Sequence, residues 1–245
     1  MLTINIDTGG TFTDGYIRNG QRVYMAKVET TPHDLTVCFK NLIEEAAHRF
    51  DMDLKKFLAS VDVIRYSTTV GTNALIQKTG PKIGLIVTKG AEELLYHQPG
   101  ESLDRLRGWL DTTLITSVSE AINEHGEVLE PLAEDDVRRA LRYLLDSGAE
   151  SIVTVLHNSF YNPAHEQLIK KTVFAEYPTH FLGSLPVLVS SDIATTSAEH
   201  KRLALTVLNA YLHRDMVRYL YKAEEDLRRL PQWKAAPRNV VCAAK

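Results

Sequence analysis

A chain of 245 residues, 44% hydrophobic and 24% charged, is long enough for one large domain or two modest ones and has the composition of a globular protein. Its net charge of −3, from 28 basic and 31 acidic residues, gives no electrostatic basis for nucleic acid as a partner. No apolar run nears the roughly 18 residues that cross a bilayer, so no membrane partner is expected. Two cysteines, Cys38 and Cys242, cannot form a disulfide framework, and the start MLTINIDTGG lacks the basic and long apolar segments of a signal peptide. The expected setting is the cytoplasm, with reduced thiols.

Taken in chain order, Leu2–Ile6 alternates apolar and polar residues and reads as a strand. Gly15–Arg18 and Arg22–Val28 flank Asn19-Gly20, a strong hairpin signal, so the first thirty residues are expected to form three consecutive strands. Asp34 is placed to cap an amphipathic helix running to about Arg49. A second strand–helix unit follows: Val61–Tyr66, a loop over Ser67–Asn73, and a short helix to about Lys78. Lys82–Val87 is a compact buried strand. Residues 91–131 carry little pattern beyond Glu124–Glu127, a turn between short strands. Ala133–Ser147 reads as a helix ended by Gly148, Ser151–Leu156 as a buried strand, Pro163–Glu176 as a helix and Phe181–Gly183 as a short strand. A long helical pattern covers about Thr195 to Leu230, and the proline-containing end PQWKAAPRNVVCAAK reads as a linker or the start of something further. Strands alternating with helices behind a three-strand meander predict an α/β fold with a mixed sheet, of ribonuclease-H-like type.

The loop after the first strand carries the clearest chemistry. Asp7-Thr8-Gly9-Gly10-Thr11-Phe12-Thr13-Asp14 places two adjacent glycines where the backbone must turn and where a ligand can approach without a Cβ in the way. Their N–H groups can form an anion-binding concavity, with hydroxyls of Thr11 and Thr13 as further donors and Thr8 beside them. Asp7, at the strand end, is suited to hold Mg²⁺ through water, an ion that retains several waters and uses few carboxylates. Asp14 is either a second magnesium ligand or a turn former. A bare pair of glycines is usually only a tight turn; the full DxGGTxTD string is far more specific. It is neither GxxxxGK[ST] nor GxGxxG, and it leads into a second strand rather than a helix. In that it resembles the first phosphate loop of the actin/sugar-kinase/Hsp70 superfamily.

Four further strings narrow the resemblance: KIGLIVTKG at Lys82–Gly90, STTVGTNAL at Ser67–Leu75, HNSFYNPAHE at His157–Glu166 and EHKRLALTVLNAYL at Glu199–Leu212. With IDTGGTFTD they make the chain similar to the N-terminal region of the hydantoinase A/5-oxoprolinase family, which includes acetone- and acetophenone-type ketone carboxylase subunits. The resemblance implies an ATP- and Mg²⁺-dependent enzyme that phosphorylates a carbonyl oxygen, a ketone enolate or a cyclic amide, before carboxylation or ring-opening hydrolysis. Phosphoryl transfer of this kind needs positioning and charge neutralisation more than covalent help. Asp7, Asp14, Thr72 and Asn73 are the implied catalytic residues, with Thr8, Gly9, Gly10, Thr11 and Thr13 on the nucleotide phosphates. Thr68, Thr69, Glu199 and Arg202 are the candidates for a cleft holding a small carbonyl substrate.

Plainer readings stand beside several of these. The STTVGTN segment is equally an N-cap, through Ser67, Thr68 or Thr69. Glu199 and Arg202, three apart on a helix, can simply pair across one turn. His165 and Glu166 read as a turn and helix start after Pro163, and the spacing of His157, His165 and His200 matches no zinc signature. Members of the family are longer, with a second lobe supplying the other phosphate loop. Residues 1–200 are therefore expected to form the family's N-terminal-type domain. Residues 201–245 are expected to begin a second lobe that partner subunits or further chain supply, leaving this chain alone weak in ATP hydrolysis. A degenerate structural subunit is the rival reading.

Overall fold

In the computed structural model, residues 1–31, 33–92, 106, 108–178, 185–229 and 240–244 are described. Their contacts divide the chain into two compact units, Met1–Gln77 with Asp215–Lys245, and Lys78–Arg214.

The first unit opens with the expected meander: β1 (Leu2–Thr8), β2 (Phe12–Asn19) and β3 (Arg22–Glu29), antiparallel and in continuous register from Leu2↔Asn19 to Thr8↔Thr13. The hairpin turn lies one residue later than the Asn-Gly pair suggests. Asn19 still pairs with Arg22, and Gly20 (φ +59°) and Gln21 form the two-residue loop, with positive φ only at the glycine. α1 (Leu35–Arg49) begins at Asp34, whose carboxylate accepts from the Thr36 N–H at 3.1 Å. A short α2 (Leu54–Ser60), capped by Asp53, has too few residues to show a periodicity in the sequence. β4 (Val61–Thr68) then lies parallel to β1, and α3 (Val70–Gln77) follows with a single residue between. The loop expected over Ser67–Asn73 is therefore mostly strand end and first helical turn. Its Val and Gly are weak helix formers, which hid the helix start.

Val240–Ala244, within the segment read as a linker or a new beginning, is a strand (β11) parallel to β4. The sheet order is β11-β4-β1-β2-β3, the mixed arrangement of a ribonuclease-H-like lobe. One face is apolar: Leu2, Ile4, Ile6, Ile17, Ala26, Ile64 and Tyr66 pack on Phe39, Leu42, Ile43 and Ala46 of α1 and on Phe57 and Leu58 of α2. Each leucine, isoleucine and phenylalanine among them, buried to within a few per cent, contributes about 1.5–3 kcal/mol of transfer free energy. A Cβ on Gly15 would stand 2.7 Å from Leu42 Cδ2, so the absence of a side chain there lets α1 lie against β2.

The second unit is built on a parallel sheet, β10-β9-β5-β6, from β5 (Ile83–Thr88), β6 (Ile115–Val118), β9 (Ser151–Val155) and β10 (Val187–Val189). β9 is buried at every position and β5 at all but its last, as a sheet covered on both faces requires. A small hairpin, β7 (Ala121–Ile122) and β8 (Val128–Glu130), turns through Gly126 at φ +80°. α4 (Glu134–Asp146) has no side-chain cap and instead carries three acidic residues in its first turn, favourable to the helix dipole. α5 (Ala164–Glu176) and a short α6 (Ser190–Ile193) follow, then the start of α7 (Glu199–Arg229), whose residues from Asp215 onward belong to the first unit. Val137, Leu141 and Leu144 of α4 and Ile169 and Val173 of α5 close the core over Ile86 and Ile152. Phe181–Gly183, read as a strand, lies outside the described residues.

Candidate functional site

The phosphate-loop candidate spans Gly9–Thr11 between β1 and β2. The Gly9 N–H donates to Phe12 O at 3.0 Å, closing the turn. Thr30 then fixes the loop from one side: its N–H donates to Thr11 O at 2.9 Å and its hydroxyl to Gly9 O at 3.0 Å. Both carbonyls are thereby turned toward Thr30, and the N–H groups of Gly10 and Thr11 take no partner among the described residues. Nothing lies within 4 Å of where a Gly10 Cβ would be. A loop with its carbonyls committed and two donors unspent beside open space is an anion cradle. The sequence held no signal for Thr30, because its role depends on β3 ending beside the loop.

Strand alternation sorts the side chains around this cradle. Residues 2, 4, 6 and 8 are buried, whereas Asp7 lies on the opposite face and is half-buried. Asp14 is its cross-strand partner in β2 and Ser67 its neighbour in β4. The Ser67 hydroxyl donates to Asp7 Oδ1 at 2.6 Å, and Lys27 Nζ stands 3.1 Å from Asp14 Oδ1. These four line a groove of roughly 320 Å³ with Tyr16 and Met25. Two carboxylates directly opposite one another repel, and Lys27 offsets the charge on Asp14. This set suits a hydrated divalent cation that needs one or two carboxylates. Asp7 would hold Mg²⁺ through water, with Asp14 close by.

Two of the expected phosphate ligands face elsewhere. Thr8 and Thr13 are buried on the α1 side. Tyr66 OH donates to Thr8 Oγ1 at 2.7 Å, and Thr13 Oγ1 lies 3.0 Å from Thr30 Oγ1 and 3.3 Å from Cys38 Sγ. Thr8 and Thr13 thus lie beneath the loop with their hydroxyls engaged by protein, and Thr11 alone of the three is exposed.

The STTVGTN segment sits beside the loop. Thr69 N–H donates to Thr8 O at 3.2 Å, bringing the start of α3 against the end of β1. Asn73 N–H donates to Thr69 O at 2.8 Å, and its side-chain amide to Thr69 Oγ1 at 3.5 Å. Thr68 is buried, Thr72 is exposed and Asn73 half-buried. Asp7, Asp14, Gly9–Thr11, Ser67, Thr69 and the first turn of α3 therefore converge at one end of the first sheet.

Glu199 and Arg202 belong to the second unit and meet each other there, Arg202 Nη2 lying 3.8 Å from Glu199 Oε1. Arg202 is fully buried. Its Nη1 donates to Thr196 O and Ser197 O, its Nη2 to Leu156 O and Ser159 Oγ, and its Nε to Ser190 Oγ, all at 3.1–3.3 Å. Burial pulls its ionisation downward, against the nearby Glu199 and Glu166 carboxylates, which oppose that shift. Arg202 ties together chain segments, and its guanidinium is turned wholly into the protein here. Glu166, read as a first-turn residue, is the other half of this network: it accepts from Leu156 N–H, Ser190 Oγ and Ser191 N–H at 2.7–3.0 Å. His165 Nε2 accepts from Leu132 N–H at 3.3 Å, so its Nδ1 carries the hydrogen donated to Glu120 at 2.7 Å. Glu120 also accepts from the Thr88 hydroxyl.

Comparison with known proteins gives the family. The family model described as the hydantoinase/oxoprolinase N-terminal region matches residues 3–176. The chain is 38% identical, over 229 residues, to the acetophenone carboxylase gamma subunit of Aromatoleum aromaticum, covering 87% of this chain and 31% of that one. It is 31% identical over 233 residues to the caprolactamase subunit alpha of Pseudomonas jessenii, covering 90% and 32%. The nucleotide-free structure of acetone carboxylase, solved for the mechanism of ATP-dependent acetone carboxylation, superposes with a TM-score of 0.81 at 25% identity, over 96% of this chain and 34% of that one. The chain thus spans about a third of the relatives it matches. With the loop, its flanking carboxylates and the motifs as far as Glu166 inside the family model's match, the chain belongs to the hydantoinase/oxoprolinase N-terminal family.

Proposed function

We propose that this chain supplies the phosphate-gripping part of an ATP-dependent enzyme that phosphorylates a carbonyl oxygen, activating a ketone enolate for carboxylation. The carrying observation is the loop itself: two unspent N–H donors at Gly10 and Thr11 beside the Asp7–Asp14 carboxylate pair. In this reading the loop amides bind nucleotide phosphate, Asp7 holds Mg²⁺ through water, and the α3 N-terminus with Thr72 and Asn73 borders the transferring group. Magnesium supplies charge neutralisation on the phosphoryl oxygens. In this reading the adenosine pocket and second phosphate loop come from further chain or a partner subunit, and 1–245 alone hydrolyses ATP weakly. The 38% identity to a ketone carboxylase subunit favours ketone over cyclic amide; the 31% identity to a caprolactamase subunit keeps lactam hydrolysis as the second reading.

The test is thermal stabilisation of the chain by Mg·ATP. A ligand at about 100 times its Kd adds about 2.7 kcal/mol to stability. Asp7→Asn is expected to abolish the magnesium-dependent part of the shift. Gly10→Ala is expected to keep the unliganded Tm, since its Cβ meets nothing, yet to lose affinity at least tenfold by filling the phosphate's approach. No stabilisation at saturating Mg·ATP, in the chain and in its assembled enzyme, would favour a purely structural subunit.

A further inference from the structure

The second unit holds a pair of residues that its buried networks leave over. His157 is half-exposed, and its Nδ1 lies 2.8 Å from Glu199 Oε1. That oxygen is itself held in place: it accepts from Asn158 N–H at 3.0 Å and has buried Arg202 3.8 Å away. His157 is fixed through its own backbone as well, its N–H donating to Thr88 Oγ1 at 2.8 Å. Asn158, between them, takes φ +55° and is held there by its side-chain amide, which donates to Ile122 O at 2.7 Å. A non-glycine residue in the left-handed region stores backbone strain, which the surroundings must maintain. A hydrogen bond between a half-exposed imidazole and a carboxylate adds little to stability, so folding alone does not account for this arrangement.

Its place in the fold points the same way. β5 continues to β6 on one side and β9 to β10 on the other, so the strand order reverses between β5 and β9. Ligands of open parallel sheets bind outside the carboxyl ends of the strands at such a reversal. Thr88 ends β5, and His157 and Asn158 come just after β9. The dyad therefore stands at the reversal.

We propose that His157 is a proton-transfer residue of a second site in this chain, acting on a small carbonyl compound with α-hydrogens, and that Glu199 is its positioning residue. With Nδ1–H donated to Glu199, Nε2 keeps its lone pair and no described residue engages it. Nε2 takes the α-hydrogen as a proton: the C–H bond breaks, its electron pair moves into the carbonyl group to give an enolate, and Glu199 balances the imidazolium that forms. The enolate oxygen is the atom that the proposed function phosphorylates, and the substrate class rests on that reading.

The experiment measures deuterium incorporation into the methyl group of acetophenone in D₂O, with the full chain and no nucleotide. Leaving nucleotide out separates failure here from failure of the Mg·ATP reading. Exchange above the buffer rate, cut at least tenfold by His157→Gln, is expected. Glu199→Gln should lower the maximal rate with little change in half-saturation, and Glu199→Asp should restore part of it. In the ¹⁵N NMR spectrum, the His157 imidazole should carry its hydrogen on Nδ1 and lose that preference in Glu199→Gln. Exchange no faster than buffer, exchange unaffected by His157→Gln, or an Nε2–H tautomer in the unsubstituted chain would each overturn the proposal.

Discussion

Arg202 and Thr13 show how fully a single polar side chain can be engaged within the fold. Arg202 sits at 0% exposure with every nitrogen bonded to protein, so it has nothing left to offer a ligand. Arg202→Ala would leave Glu166 buried without its nearest cation and would free the carbonyls of Leu156, Thr196 and Ser197. The expected cost is about 3–5 kcal/mol, measured as a fall in the urea midpoint. Arg202→Lys should rescue little, because one ammonium cannot reach five acceptors in three segments. Unchanged stability in Arg202→Ala would return the residue to the substrate cleft. Part of this was legible: strand parity alone puts Thr8 in phase with Leu2, Ile4 and Ile6, and Thr13 with Gly15 and Ile17, on the buried face. The Ser67–Asp7 and His157–Glu199 contacts were not legible. They join residues 60 and 42 positions apart through a parallel register and a helix start that no local pattern specifies.

Among the elements, the β2–α1 packing depends on one missing side chain. Gly15→Val would drive its Cβ to within 3 Å of three Leu42 carbons. We expect a loss of about 1–3 kcal/mol, partly recovered in the Gly15→Val/Leu42→Ala double variant, with the coupling read from a double-mutant cycle in denaturant. Additive losses would mean that α1 does not rest on β2. The meander, α1, α4, α5 and α7 were all readable, because each has a long period, a cap or a glycine stop. α2, β6, β10 and α6 were not. At three to seven residues apiece they are too short to show a period, and tertiary pairing decides them.

At the scale of the molecule, the first sheet is finished by the segment furthest along the chain. Removing residues 240–245 would leave β4 as an edge with unpaired backbone groups. Amide exchange should then quicken in Val61–Thr68 while β5 and β9 keep their protection; unchanged exchange in β4 would show that β11 adds nothing to the sheet. The same connectivity has a consequence in time. Lys78–Arg214 is one uninterrupted stretch threaded between the two parts of the other unit. During synthesis its parallel sheet can close as soon as β10 has left the ribosome. The phosphate loop's own sheet must wait, four strands assembled and one flank open, until β11 arrives. The half-built lobe is then a nascent chain exposed to strand-pairing errors.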